Sequence, residues 1–406
     1  MQRFGLIGRT LVHSFSPAIH SQIADYEYKL YPLEPDRVAE FVQTTDLDGF
    51  NVTIPYKKDV IPLCKEISVR AKAIGSVNTM LRLPDGGWYG DNTDYDGFTY
   101  QLGKDAEALK GKKALVLGSG GSSQTVQKVL NDCEIPFIVV SRSGENNYEN
   151  ISRHADAELI VNTTPVGMYP HNGTSPVDLS LFPNCRLVLD LIYNPAKTAL
   201  LLQAESLRIP ARNGLSMLVA QGVRAGELFL NKQLPETLIE TITDAIRRRT
   251  LNVVLIGMPG CGKTTVANLL SELTGRKTAD TDDLIRAKAG TEIPEIFAKH
   301  GEPYFRTLEA EALREVSKES GLIIATGGGI VKIPANLDLI RQNSVCIFLD
   351  TDLSKLDTAG RPLSISTGVE QLYAERLPLY KKWSDKTYHC EDLAQTAAQI
   401  KTDLSF

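Results

Sequence analysis

Short apolar runs alternate with amphipathic stretches along most of this chain. Arg3 to Gly8, Tyr28 to Leu33 and Gly49 to Thr53 read as strands. Between them, a stretch entered through Ser14, Ser16 and Pro17, and another over Asp36 to Gln43, read as helices. Pro suits the first helical turn, and hydroxyls just before it suit a cap. A further helix is predicted over Lys58 to Ile67, then a strand carrying Asn78 and a hairpin turn at Pro84 to Gly87. The pattern resumes with strands at Lys112 to Leu117 and Pro136 to Val140, around a helix at Gln124 to Asn131. An amphipathic helix fills Leu234 to Arg249, and its three terminal arginines suit the negative end of the helix dipole. Strands at Asn252 to Ile256, Leu322 to Ala325 and Ser344 to Leu349 follow. Apolar runs this short, without alternation, suit parallel strands buried on both faces, so the fold class is α/β. At 406 residues the chain should hold about two to three domains.

Two of these strands run into glycine loops. Gly257-Met258-Pro259-Gly260-Cys261-Gly262-Lys263-Thr264 fits the G-x-x-x-x-G-K-[ST] phosphate loop. Its backbone N–H groups, through Thr265, would face phosphate oxygens. Lys263 would reach the β/γ-phosphates, and Thr264 could ligate Mg²⁺. Cys261 reads as a small filler. Such a loop usually opens a domain, which places a junction just before Leu251. The second loop, Gly118-Ser119-Gly120-Gly121-Ser122-Ser123, is a G-x-G-x-x-G variant with Ser123 in the last place. That is a weak fingerprint alone, but it lies between a strand and a helix, as a dinucleotide loop should. The following strand ends at Ser141-Arg142-Ser143, without the acid that would hold free ribose hydroxyls, so a 2′-phosphate is the better guest and NADP the expected cofactor.

Composition narrows the partners. Apolar residues make up 42% and charged residues 23%, ordinary values for a globular protein, and the net charge is −5. There is no bulk electrostatic case for nucleic acid or membrane, and no apolar run approaches the roughly 20 residues that span a bilayer. Six cysteines are scattered without a C-x-x-C pair, which suits reduced thiols in the cytoplasm. Met1-Gln2-Arg3 leads straight into a strand, leaving no signal peptide to expect. Asp91, Asp94 and Asp96 crowd one strand-to-helix turn, but their spacing is not that of a calcium loop.

GLIGRTLVHSFSPAIH, NVTIPYK, SVNT and GDNTD occur in this order. Together they resemble the shikimate dehydrogenase family. The resemblance covers residues 1 to 245. It implies that Ser14, Ser16, Thr53, Asn78, Lys57 and Asp94 hold shikimate, with Lys57 and Asp94 as the catalytic pair. An ammonium beside a ketone can neutralise and protonate the oxygen as hydride adds, and a carboxylate can fix that ammonium. DLIYNPAKTALL carries over Tyr193, and NGLSMLVAQG carries over Gly214 and Met217 near the nicotinamide and Gln221 on shikimate. Met217 equally suits a helix core. By the same resemblance Gly118, Gly120, Gly121, Ser122, Ser141, Arg142 and Ser143 serve NADPH. The family's usual Asn is Ser141 here, and Glu145-Asn146 stand where a second base is expected.

After the phosphate loop come Asp280 and Asp282, then G-E-x-x-F-R-x-x-E from Gly301 to Glu309. Gly327 to Gly329, Arg361 to Leu363 and Arg376 to Tyr380 follow. This order resembles shikimate kinase. It implies that Asp282, Arg306, Gly328, Gly329 and Arg376 hold shikimate, with Asp282 on the attacking hydroxyl. Asp280 would hold Mg²⁺ through water with Thr264. Arg361, on a lid, would act with Lys263 on the transferring phosphoryl. The lid between Leu356 and Arg361 is shorter than the family's, and its earlier arginine near the adenine is missing. Read alone, any one of these acids could equally be a helix cap.

The implied architecture has three domains. Residues 1–100, with helices at about 222–248, form an α/β substrate domain; 101–221 form a Rossmann-like NADP domain; 249–406 form a parallel α/β/α domain of the P-loop nucleotide-kinase type. The implied enzyme reduces 3-dehydroshikimate with NADPH, then phosphorylates shikimate with MgATP to shikimate 3-phosphate. Two other readings compete: a first half that oxidises quinate with NAD, or one half that only senses a ligand.

Overall fold

A computed structural model describes residues 1–12, 14–356 and 368–405, so Arg361 and the lid around it lie outside the described residues. The chain divides into two compact units. One holds Met1–Met168, Thr174–Tyr193 and Gln203–Ile246, and the other holds Tyr169–Gly173, Asn194–Leu202 and Arg247–Phe406.

The first unit contains two sheets. Strands β1 (Arg3–Gly8), β2 (Glu27–Pro32), β3 (Gly49–Val52), β4 (Glu66–Ile67), β5 (Thr79–Arg82) and β6 (Trp88–Asp91) lie in the order β2-β1-β3-β5-β6-β4. β1 runs parallel to β2 and β3, while β3, β5 and β6 are antiparallel. Every residue of β3 is buried, and Ile7, Phe50, Val52, Met80 and Trp88 share a core with α2 (Val38–Thr44), which follows α1 (Ser16–His20). The predicted helix over Lys58 to Ile67 does not form. Pro62 has no N–H to return to the preceding turn, so the segment makes a 3-10 turn at Ile61–Leu63 and the short strand β4. The helix comes later, as α3 (Val69–Ile74), where the Ser68 side chain accepts the Ala71 N–H as a cap.

The second sheet holds β7 (Ala114–Leu117), β8 (Phe137–Val140), β9 (Leu159–Asn162), β10 (Leu187–Asp190) and β11 (Ala211–Arg212), all parallel, in the order β11-β10-β9-β7-β8. β7, β9 and β10 are buried throughout. The order reverses direction at β7, and the crevice at such a switch point is where open α/β sheets bind ligands. Helices α4 (Asp94–Leu102), α5 (Asp105–Leu109), α6 (Gly121–Asp132), α7 (Ala199–Ser206), α8 (Leu215–Leu230) and α9 (Thr237–Thr250) accompany these strands.

The second unit is built on one parallel sheet of β12 (Asn252–Ile256), β13 (Thr278–Asp280), β14 (Ile323–Ala325), β15 (Ser344–Asp350) and β16 (Lys386–His389), ordered β13-β14-β12-β15-β16. The wholly buried β12 is central. Around it lie α10 (Lys263–Thr274), α11 (Thr281–Ala289), α12 (Ile293–Val316), α13 (Ala335–Arg341), α14 (Val369–Trp383) and α15 (Leu393–Leu404). α12 breaks at Gly301, whose φ of 79° is not helical. Among the described residues no helix is long and apolar enough to cross a membrane.

The close approach of α4 and α8 generates the first prediction. A Cβ on Gly97 would lie 2.6 Å from the Met217 carbonyl oxygen. Helix propensity favours Ala there by about 1 kcal/mol, but the collision with backbone outweighs it. Gly97→Ala should lower stability by about 1–3 kcal/mol in urea unfolding followed at the first unit; an unchanged or raised midpoint would show that the two helices separate freely.

Candidate active sites

The sheet of β1 to β6 brings one set of candidates together. Lys57 follows β3 by five residues, and its Nζ lies 2.5 Å from Asp94 Oδ2. Asp94 is the first residue of α4, where the helix dipole favours a negative charge. Asn78, just before β5, donates from Nδ2 to Asp94 Oδ1 at 3.0 Å and to Gln221 Oε1, on α8, at 3.4 Å. Thus Lys57, Asn78, Asp94 and Gln221 converge from four elements. Ser16 opens α1 and is buried. The serines do not cap that helix by side chain; instead Ser14 Oγ accepts the Ser16 N–H at 3.2 Å. Thr53 ends the β3 segment with its methyl group against Gly8. The Tyr193 ring stands 5.5 Å from that of Phe15, between the two serines.

Behind this set is a polar layer that sequence reasoning did not assign. Asn51, Thr79 and Thr93 are buried beneath Asn78 and hydrogen-bonded to it or to each other. Arg70 takes Asp91 in a two-point grip at 2.8 Å and also reaches Asp96. The three acids of the turn therefore face cations of the protein itself. Burial alone would raise the Asp91 carboxyl, but hydrogen bonds from Arg70 and Ser68 hold it below its ordinary value. His20 is driven down to about 3 by burial, against a hydrogen bond with Asn51, and stays neutral. Their roles cannot be read locally, because most of their partners lie 14 to 28 residues away.

The second set lies along the edge of the β7 sheet. Gly118 leaves β7 with φ of 104°, beside Thr163 and Thr164 at the end of β9. Gly120 and Gly121 start α6, and a side chain added at either would meet only open space. That leaves the first turn of a 12-residue helix bare, as a pyrophosphate requires. Ser122 is partly exposed, while Ser123 is buried and accepts from Gln127 Nε2 at 3.0 Å. Ser141, Arg142 and Ser143 follow β8; the two last are exposed, and the Ser141 N–H donates to the Asn146 carbonyl. Asn146 is itself held by His154 at 2.8 Å. Gly214 precedes α8, and the Met217 side chain is packed into the core of this unit.

The third set surrounds the loop after β12. Gly260 and Gly262 have φ of 83° and 89°, a conformation that turns successive N–H groups inward and disfavours side chains. Cys261 is buried, and Thr264 and Thr265 are exposed at the start of α10. Lys263 Nζ rests on the carbonyls of Gly257 at 3.0 Å and Met258 at 2.9 Å. Asp280 divides its carboxylate. One oxygen accepts the Asp282 N–H as the cap of α11, and the other accepts the Thr264 hydroxyl at 2.8 Å. Burial raises the Asp282 carboxyl, and the charge on Asp280 adds to it.

Arg306, on α12, pairs with Glu309 at 2.7 Å and with Glu302 at 2.9 Å. It crosses Gly329, where any Cβ would fall within 2.4 Å of the guanidinium. Gly328 abuts Pro259 of the loop, and its carbonyl accepts the Tyr380 hydroxyl. Arg376 is only 1% exposed, yet its Nε and Nη2 have no hydrogen-bond partner among the described residues. Asp282 Oδ1 and Glu309 Oε1 are likewise unpaired there. A buried guanidinium left short of acceptors is costly, and a ligand carboxylate is the group that would complete it.

Comparisons with known proteins place both halves of the chain at the level of family. The family model for the shikimate dehydrogenase substrate binding domain matches residues 6–80, and that for shikimate kinase matches residues 259–404. The shikimate dehydrogenase (NADP(+)) of Clostridium perfringens is 36% identical over 271 residues, covering 61% of this chain and 100% of that protein. A chorismate mutase/shikimate 5-dehydrogenase fusion protein from Clostridium acetobutylicum superposes with a TM-score of 0.57 at 34% identity, covering 61% of this chain and 97% of that one. Shikimate 5-dehydrogenase from Thermus thermophilus, solved in complex with NADP(H) and shikimate, gives 0.56 at 28% identity over 60% and 99%. The chain belongs to the shikimate dehydrogenase family and carries a shikimate kinase domain after it.

Proposed function

We propose that the chain catalyses two consecutive steps: NADPH-dependent reduction of 3-dehydroshikimate to shikimate, and ATP-dependent phosphorylation of shikimate to shikimate 3-phosphate. The observation that carries this reading is the meeting of two independent constellations on one small molecule. Lys57 with Asp94 suits the reduction, and Arg376 and Asp282, each with a polar atom unpaired among the described residues, suit an acid that also bears a hydroxyl.

In the first reaction Ser14, Ser16, Thr53, Asn78, Tyr193 and Gln221 would hold the substrate. Gly118, Gly120, Gly121 and Ser122 suit the pyrophosphate of NADPH; Ser141, Arg142 and Ser143 suit its 2′-phosphate; Gly214 and Met217 would flank the nicotinamide. NADPH supplies the hydride. Lys57 gives a proton to the former ketone oxygen, which becomes the new hydroxyl, and Asp94 keeps the ammonium aimed.

In the second reaction Gly260, Cys261, Gly262, Lys263, Thr264 and Thr265 would cradle the phosphates of ATP. Thr264 and Asp280 are already hydrogen-bonded to each other and could share Mg²⁺, Asp280 through water. Arg306 and Arg376 would grip the shikimate carboxylate, with Gly328 and Gly329 leaving room. Asp282 takes the proton of the attacking hydroxyl, and Lys263 neutralises the transferring phosphoryl with Arg361.

The three sheets, and the division between Ile246 and Arg247, support a substrate domain at 1–100 with helices at 222–248, an NADP domain at 101–221 and a kinase domain at 249–406. Six free thiols suit the cytoplasm.

A one-pot assay with 3-dehydroshikimate, NADPH and MgATP tests the pair of activities. NADPH should be consumed and shikimate 3-phosphate should form. Lys57→Ala should lower the reduction by about 10²–10⁴-fold and leave phosphorylation of added shikimate intact. Lys263→Ala should lower phosphorylation by about 10²–10³-fold and leave the reduction intact. Accumulation of shikimate without its phosphate would remove the kinase assignment.

The raised Asp282 carboxyl generates a pH prediction. A base must be ionised, so kinase kcat/KM should fall as pH drops through a carboxyl titrating above its ordinary range. Asp280→Asn preserves the helix cap and removes a neighbouring charge, so the residual activity should show that limb moved to lower pH. A limb at the ordinary carboxyl position, unmoved by the substitution, would exclude Asp282 as the base.

A further inference from the structure

The dehydrogenase site rests on a chain of hydrogen bonds whose direction is fixed at one end. An ionised Asp94 can only accept, so Asn78 must turn Nδ2 toward it, at 3.0 Å. Asn78 Oδ1 then faces inward, where it receives the Thr93 N–H at 2.7 Å and the Thr79 hydroxyl at 3.0 Å. Having given its one proton, the Thr79 oxygen accepts Asn51 Nδ2 at 3.1 Å. Asn51 is left with Oδ1, which accepts the Tyr28 hydroxyl at 2.8 Å. His20 stacks on Tyr28, and its Nδ1 lies 2.7 Å from the Tyr26 hydroxyl. The Thr93 hydroxyl stands beside the chain, 3.1 Å from Asn78 Nδ2 and 3.2 Å from Thr79 Oγ1.

His20, Asn51, Asn78, Thr79 and Thr93 are each 5% exposed or less. In a layer this dry each unpaired group is expensive, which favours the orientation that satisfies Asp94, Asn78 and Asn51 together.

We infer that Asn51 and Thr79 are positioning residues for the reduction. They pass a one-way chain of donors from Tyr28 to Asn78, and so fix which end of Asn78 meets Asp94 and the substrate. The inference rests on the assignment of Lys57, Asn78 and Asp94 to the dehydrogenase site. Tyr28 and Thr79 are joined in this chain through Asn51, so removing either hydroxyl should break the same device.

The test is a double-mutant cycle in the full chain with Tyr28→Phe and Thr79→Val, reading kcat for 3-dehydroshikimate, KM for NADPH and the melting temperature. Each single substitution should lower kcat about fivefold. The double substitution should lower it no further than either alone. KM for NADPH should not move, and Thr79→Ser should recover most of the loss, because it restores the hydroxyl. If Thr79→Val does not fold, Thr79→Ala takes its place in the cycle. Single variants at full kcat, losses that multiply in the double variant, or no recovery in Thr79→Ser would each overturn the inference. Lys57→Met is run alongside. If it is inactive while Thr79→Val is unimpaired, only the donor chain fails. If Lys57→Met still reduces the substrate, the site assignment itself fails.

Discussion

A strand buried on both faces can carry no charge along its length, so its chemistry has to sit where it ends. β3, β7 and β12 are buried at every residue. Each then turns into a segment that bears proposed site residues: Thr53 and Lys57 after β3, Gly118 to Ser122 after β7, and Gly257 to Thr265 after β12. Asp280 closes β13, and Thr326 to Gly329 follow β14. Both units obey the same constraint, although their sheets differ in strand direction and order.

The two proposed catalytic centres meet the problem of enclosed charge in different ways. Around Lys57 the protein completes its own network, since Asp94, Asn78, Gln221 and the layer beneath them are hydrogen-bonded without a ligand. In the kinase domain Lys263 leans on two loop carbonyls, and Arg376, Asp282 and Glu309 each keep an unpaired polar atom among the described residues. The first arrangement is preorganised, and substrate enters a set geometry. The second is left unfinished, and the missing acceptors and donors are those that a hydroxy acid brings. A site of the second kind holds back part of its stabilisation until the ligand arrives.

What could be read from sequence depended on distance along the chain. The two glycine-rich strand-to-helix loops and the hairpin at Pro84 to Gly87 are local patterns, and each was legible because its geometry is set by neighbouring residues. The helix expected at Lys58 to Ile67 failed for a local reason that was also visible, Pro62 in its middle. The supporting groups were not legible. Asn51, Thr79 and His20 lie inside the motifs NVTIPYK, SVNT and GLIGRTLVHSFSPAIH without an assigned role, and Tyr28 and Arg70 carry no pattern at all. Their roles exist only once β2, β3, β5 and α4 have been brought together. The same holds for Arg376, whose near-complete burial no helical periodicity announces.

At helix starts the choice between a structural and a chemical reading proves to be a false one. Asp280 was open to either, as a cap or as part of a metal site. Its carboxylate serves α11 with one oxygen and Thr264 with the other. A cap needs a single acceptor aimed at the first turn, which leaves the second oxygen free to face the phosphate loop. Asp94 repeats the logic in the other domain, gaining from the dipole of α4 while its two oxygens divide between Lys57 and Asn78. Fixed hydrogen-bond partners at a helix start hold such a carboxylate in one place and one rotamer, and that is also what a catalytic or metal-holding group requires.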